Sequence, residues 1–132
     1  MDVKSNNPQL QVDVSDEVLL QIAHHALTLI PGYHSLNSNF YTGMVDGIAR
    51  NFGQQRLPGI NVKHRKEGLE INIYINVLYG YPLMTMATQI RQQINKDLKE
   101  SLDLDSVRID VHFENIIDPN QVTEELNNEA KS

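Results

Sequence analysis

One segment constrains the fold of this chain more than any other. Leu69, Ile71, Ile73, Ile75 and Val77 alternate with Glu70, Asn72, Tyr74 and Asn76. Only an extended strand turns that period of two into one apolar and one polar face. A strand of this kind belongs to a sheet packed on one side and wet on the other. The remaining elements must supply both its neighbours and the cover for its apolar side.

Two flanking segments read as neighbours. Gly59 opens a strand through Ile60, Val62 and His64, and Lys66-Glu67-Gly68 turns it back, with glycine where a positive φ is needed. Near the C-terminus, Val107, Ile109, Val111 and Phe113 alternate with Arg108, Asp110, His112 and Glu114. A shorter alternation, Leu10, Val12 and Val14 against Gln9, Gln11 and Asp13, predicts a first strand.

The cover comes from two amphipathic helices. Ser15 reads as an N-cap, Asp16 and Glu17 meet the positive end of the helix dipole, and Val14 and Leu19 occupy the positions of a hydrophobic staple. The expected buried stripe is Val18, Leu19, Ile22, Ala26 and Leu29, and Pro31-Gly32 ends the helix. Pro82 suits the first turn of a second helix with the stripe Leu83, Ala87, Ile90, Ile94, Leu98 and Leu102. Between Tyr33 and Pro58, Tyr41, Met44, Val45, Ile48 and Phe52 fit one face of a short helix. Gly43 and Gly47 each cost that helix about 1 kcal/mol relative to alanine.

The predicted class is α+β, a two-layer sandwich. A mainly antiparallel sheet of three to four strands carries two main helices on one face, in the order β-α-β-β-α-β, plus one short helix. Residues 1–8 read as a disordered polar tail, 9–117 as a single domain, and 118–132 as an acidic polar tail. At 132 residues the chain fits one domain, and a fold of this size buries roughly two-thirds of its unfolded surface.

Composition narrows the function classes. The chain has no cysteine, which removes disulfides, thiolate chemistry and cysteine-based zinc sites. No apolar run approaches the ~20 residues that span a bilayer, and the N-terminus has no secretory h-region. A cytoplasmic protein without direct membrane insertion is expected. The net charge of -6 opposes nucleic acid as the main partner and unaided adsorption to an anionic leaflet.

The search for chemistry returns no catalytic, cofactor-binding or metal residues. His24 and His25 are adjacent on a helix and diverge, His34 falls in a loop, and His64 and His112 are expected on opposite faces of the sheet. Asp103 and Asp105 flank a turn, and Glu124 and Glu125 lie in the tail. No phosphate loop or serine elbow is present. What remains is the open sheet face. Tyr74 and Arg108 stand at its centre and His112 near its rim as candidate partner-binding residues, of types that include those enriched at binding hot spots. Lys63, Arg65, Glu70, Asp110 and Glu114 share that face, and one tyrosine among mixed charges is a poor platform for RNA.

Taken in order, several segments resemble the alkaline shock protein 23 family of the Gram-positive cell-envelope stress response. They are Val14-Ser15-Asp16-Glu17-Val18, Asp46-Gly47-Ile48-Ala49 with Gly53, Gly59-Ile60-Asn61-Val62, Ile73-Tyr74-Ile75-Asn76-Val77, Tyr79-Gly80-Tyr81-Pro82 and Val107-Arg108-Ile109-Asp110-Val111-His112. The chain departs from the family over Ser35–Tyr41, which is poorer in glycine. The resemblance implies a cytosolic, non-enzymatic, self-associating scaffold or adaptor in cell-envelope homeostasis. It also implies a small membrane-anchored protein partner that would hold the chain at the inner membrane face. The alternative is a regulatory module for fatty-acid synthesis, or one that binds RNA through the open face.

Overall fold

The computed structural model describes residues 10–37, 58–105 and 107–120. The expected short helix, with Gly43 and Gly47, lies outside the described residues, as do the predicted N-terminal tail and the C-terminal tail beyond residue 120. The elements in chain order are α1 (Asp16–Leu27), β1 (Tyr33–Leu36), β2 (Ile60–Arg65), β3 (Gly68–Leu78), α2 (Leu83–Leu102) and β4 (Arg108–Ile117). Two helices pack on a four-stranded, mostly antiparallel sheet, so the α+β class holds.

β3 is the axis of the sheet. β2 pairs antiparallel with its first half, from Arg65 opposite Gly68 to Ile60 opposite Ile73. The two-residue turn Lys66-Glu67 fixes that register, and Gly68 takes the positive φ of 130° that the return demands. β1 pairs antiparallel with the second half, Leu36 opposite Ile75 and Tyr33 opposite Val77. β4 runs parallel to β3 over residues 70–78, and α2 forms the crossover that a parallel pair requires. Since β4 occupies one edge of β3 over that length, β2 and β1 share the other edge, end to end.

The fourth strand is therefore β1 and not the N-terminal alternation. Residues 10–13 form no strand, Leu10 and Val12 are 54% and 42% exposed, and only Val14 makes a single bridge. The fourth strand comes instead from the chain leaving α1, which pairs with the second half of β3. Gly32, at φ 90°, turns it directly onto β3, and Leu78 N donates to Gly32 O at 2.8 Å. Both β1 and β4 carry an extra residue opposite the end of β3, His34 between Tyr33 and Ser35, and Glu114 between Phe113 and Asn115.

The core lies between the sheet and both helices. Ile71, Ile73, Ile75 and Val77 are fully buried, as are Met86, Ile90, Ile94 and Leu98 of α2. α1 contributes Leu19, Leu20, Ala23, Ala26 and Leu27, while Val18 is 39% and Leu29 56% exposed. The helix is thus rotated from the expected stripe. Apolar residues cover more than half its circumference, so two arcs satisfied the same periodicity, and Leu29 falls beyond its last turn. His64 sits on this inner side, where its Nε2 lies 2.7 Å from Asp16 Oδ1 and ties β2 to the start of α1.

Candidate functional site: the open face of the sheet

With both helices on one side, the even-numbered residues of β3 point to the other. Strand pairing sets their neighbours. Glu70 is opposite Lys63 on β2 and Arg108 on β4, Asn72 opposite Asn61 and Asp110, Tyr74 opposite His112, and Asn76 opposite Ser35 and Asn115. A period of two thus gathers residues from all four strands on one surface.

Glu70 organises one half of it. Arg65 donates to its carboxylate twice, Nε to Oε1 at 3.1 Å and Nη2 to Oε2 at 3.3 Å, and Asn72 Nδ2 donates to Oε2 at 3.0 Å. Arg108 Nε stands 3.7 Å from Oε1 and also donates to Asp110 Oδ2 at 3.1 Å. The flanking side chains leave Glu70 only 8% and Asn72 only 7% exposed, so the expected wet face is partly sealed by its own polar groups. The Asn72 amide first, then the Arg65 guanidinium, hold the Glu70 carboxyl below its ordinary range, against a smaller opposing effect of burial. Each buried acceptor thus has a donor, the condition under which a covered carboxylate is tolerable.

The other half is built on rings and amides. Tyr74 and His112 are stacked, with centroids 4.4 Å apart and planes 13° from parallel. His112 Nε2 lies 3.4 Å from Asn72 Oδ1, which joins the two halves into one network. Beyond Tyr74, Asn76 Nδ2 donates to Ser35 Oγ at 3.1 Å, Asn37 Nδ2 donates to Asn76 Oδ1 at 3.3 Å, and His34 Nδ1 contacts Ser35 Oγ at 2.8 Å.

Of the three residues singled out from sequence, the structure brings Tyr74 and His112 into contact. Arg108 lies on the same strand face as His112, bound instead to Glu70 and Asp110. Ser35 and Asn37 were missed because β1 was not recognised. The buried role of Glu70 was missed too, although the two-residue turn places it across from Lys63 and close to Arg65. Among the described residues, no three histidine, aspartate or glutamate side chains converge as a metal site. No helix among them is long and apolar enough to cross a membrane. This surface sets hydrogen-bonded donors and acceptors around a stacked ring pair.

The architecture is an α+β module with one helix-covered and one open sheet face, and its sequence pattern places it. Residues 4–117 match the alkaline shock protein 23 family, a family of cell envelope-related function, and the chain belongs to it. A curated relative, the uncharacterized protein YqhY of Bacillus subtilis (strain 168), is 26% identical over 104 residues, covering 78% of this chain and 74% of that protein. No solved structure matches the chain.

Proposed function

We propose that this chain acts as a self-associating scaffold or adaptor in cell-envelope homeostasis and takes a protein partner on the open sheet face at Tyr74, Arg108 and His112. The partner class is a small membrane-anchored protein, which would hold the chain at the inner membrane face without the chain itself entering the bilayer. The observation that carries the reading is the Tyr74–His112 stack inside a hydrogen-bonded network on the face that neither helix covers. Rings already fixed by stacking lose little further freedom when a partner docks, so more of the contact energy appears as affinity. Tyrosine and arginine are also the side chains that most often dominate binding energy when they sit at the centre of an interface.

The test is a double substitution, Tyr74→Ala with Arg108→Ala, in protein first shown to keep a cooperative thermal transition. Proteins recovered from cells by the parent chain, and lost with the double variant, define the partner. A membrane-anchored protein is expected among them. Recovery of the same set by parent and variant would refute this face as the docking surface.

A further inference from the structure

We propose that the outer edge of β4 pairs antiparallel with the same edge of a second copy of the chain, about a two-fold axis at Val111. The inference deepens the self-association in the reading above by naming the surface that carries it. β4 is ten residues long and joins the sheet through β3 alone, so among the described residues no strand pairs its other edge. A long strand edge presents a row of backbone donors and acceptors to any chain of matching pattern.

The matching pattern is its own. A two-fold at Val111 sets Arg108 opposite Glu114 of the second copy, and Asp110 opposite His112. On the helix side it sets Ile109 opposite Phe113 and Val111 opposite itself. Within residues 108–114, every ionisable group then meets one of complementary character, and every apolar group meets an apolar one. Directly opposed residues share a face in an antiparallel pair, so only axes that keep this alternation are allowed, and they differ in charge. An axis at Asp110 sets Arg108 against His112 and the acid against itself, and one at His112 sets Asp110 against Glu114. Axes at Ile109 or Phe113 satisfy only one kind of opposite pair. The Val111 axis alone matches all four residues.

The groups are placed to respond. Arg108 is 71% exposed and holds Asp110 and Glu70 through Nε, while its Nη groups are the outer donors of the guanidinium. Glu114 is exposed, and its position as the extra residue takes it out of the ladder with β3. Among the described residues, the product is a continuous eight-stranded sheet with its four helices on one side. Its open face is doubled, and it carries two Tyr74–His112 stacks flanking the axis.

The absence of cysteine makes the axis directly readable. Facing Cα atoms in an antiparallel pair are about 4.5–5.5 Å apart, within the span of about 4.4–6.8 Å that a disulfide bridges. Val111→Cys should form a covalent dimer in a glutathione redox buffer several-fold faster than Lys66→Cys, placed on the distant β2–β3 turn. Charge reversal reads the same register at exposed positions and does not depend on the Val111 variant folding. Arg108→Glu alone and Glu114→Arg alone should each weaken self-association by roughly tenfold in sedimentation, since symmetry places each altered pair twice. The double variant, Arg108→Glu with Glu114→Arg, should restore it to within about threefold of the parent. A Val111→Cys chain that cross-links no faster than the control, or a double variant no better than either single one, would overturn the pairing. Partner recovery by Tyr74→Ala, measured in parallel, separates the two readings. A monomeric chain that still takes its partner through Tyr74 overturns the edge pairing and leaves the docking face standing. A charge-restored dimer indifferent to Tyr74 supports the pairing and removes the docking face.

Discussion

Replacing Ile73 by alanine tests the layer assignment at its centre. Ile73 is fully buried at the middle of β3, between Ile60 on β2 and Val111 on β4. The substitution removes three carbons, which at about 0.8 kcal/mol per methylene is roughly 2.4 kcal/mol of lost transfer energy. A cavity term adds to it, at about 24 cal/mol per Å³ of volume left unfilled. Collapse is restricted here because hydrogen-bonded strands hold the backbone on both sides. A total of about 3–4 kcal/mol is expected, inside the range of roughly 2–5 kcal/mol for such truncations. Tyr74→Ala, one residue along, opens no internal cavity. It forfeits a half-buried ring and a stacked pair worth about 0.5–1.5 kcal/mol beyond its buried area. The assay is urea unfolding of both variants, with the slope required to match the parent so that midpoints compare directly. Equal midpoints for Ile73→Ala and Tyr74→Ala, or a cost below about 1 kcal/mol at Ile73, would refute the assignment of inner and outer faces.

Three further outcomes follow from particular positions. Glu70 has a depressed folded pKa, so the stability it lends is full above its ordinary value of about 4.3 and is lost as pH falls through the folded value. Glu70→Gln should therefore flatten the acid limb of the urea midpoint measured from about pH 5 down to pH 2. Gly32 and Gly80 both have positive φ, but a Cβ on Gly32 would meet Met86 Cε and Tyr81 Cγ at 2.6 Å, whereas nothing lies within 4 Å of one on Gly80. Gly32→Ala should lower the thermal midpoint clearly more than Gly80→Ala, and equal losses would contradict the packing of Tyr81 and Met86 over that turn. Asp103 ends α2 at φ 56°, with Lys99 Nζ 2.8 Å from its carboxylate. Asp103→Asn, which tolerates the left-handed conformation, should be milder in thermal melting than the β-branched Asp103→Val.

What the sequence made legible follows where the period survived intact. β3 and the first half of β4 alternate without interruption, and their inner and outer sets came out as the structure has them. β1 was missed for a physical reason. The extra residue His34 sets the inward Tyr33 and Leu36 three positions apart, a spacing that reads as helix and not strand. The N-terminal alternation misled in the opposite way, since it has the period of a strand and residues 10–13 form none. On α1 the stripe was ambiguous because Val18, Ile22 and Leu29 are as apolar as Leu20, Ala23 and Leu27. Only packing against α2 and β2 selects between the arcs. The parallel sense of β4 leaves no trace in alternation, which is identical for either direction; the 20-residue helix before it was the available clue.

The open face divides by what its own chain has already satisfied. At Glu70 the carboxylate takes donors from Arg65 and Asn72, with Arg108 close by, so an approaching partner finds few unused acceptors and would have to displace a bond already made. At Arg108 the balance is reversed, because a guanidinium has five donors and this one is mostly in solvent. The ring pair offers dispersion and apolar area that water cannot match. On the proposed reading, affinity therefore accrues at Tyr74 and His112, while selectivity falls to Arg108, which rewards a carboxylate or backbone carbonyl placed beside the rings. The network around Glu70 then serves to hold β2, β3 and β4 in register beneath both. That division accounts for why Glu70, though it lies on the open face, is poorly suited to touch a partner.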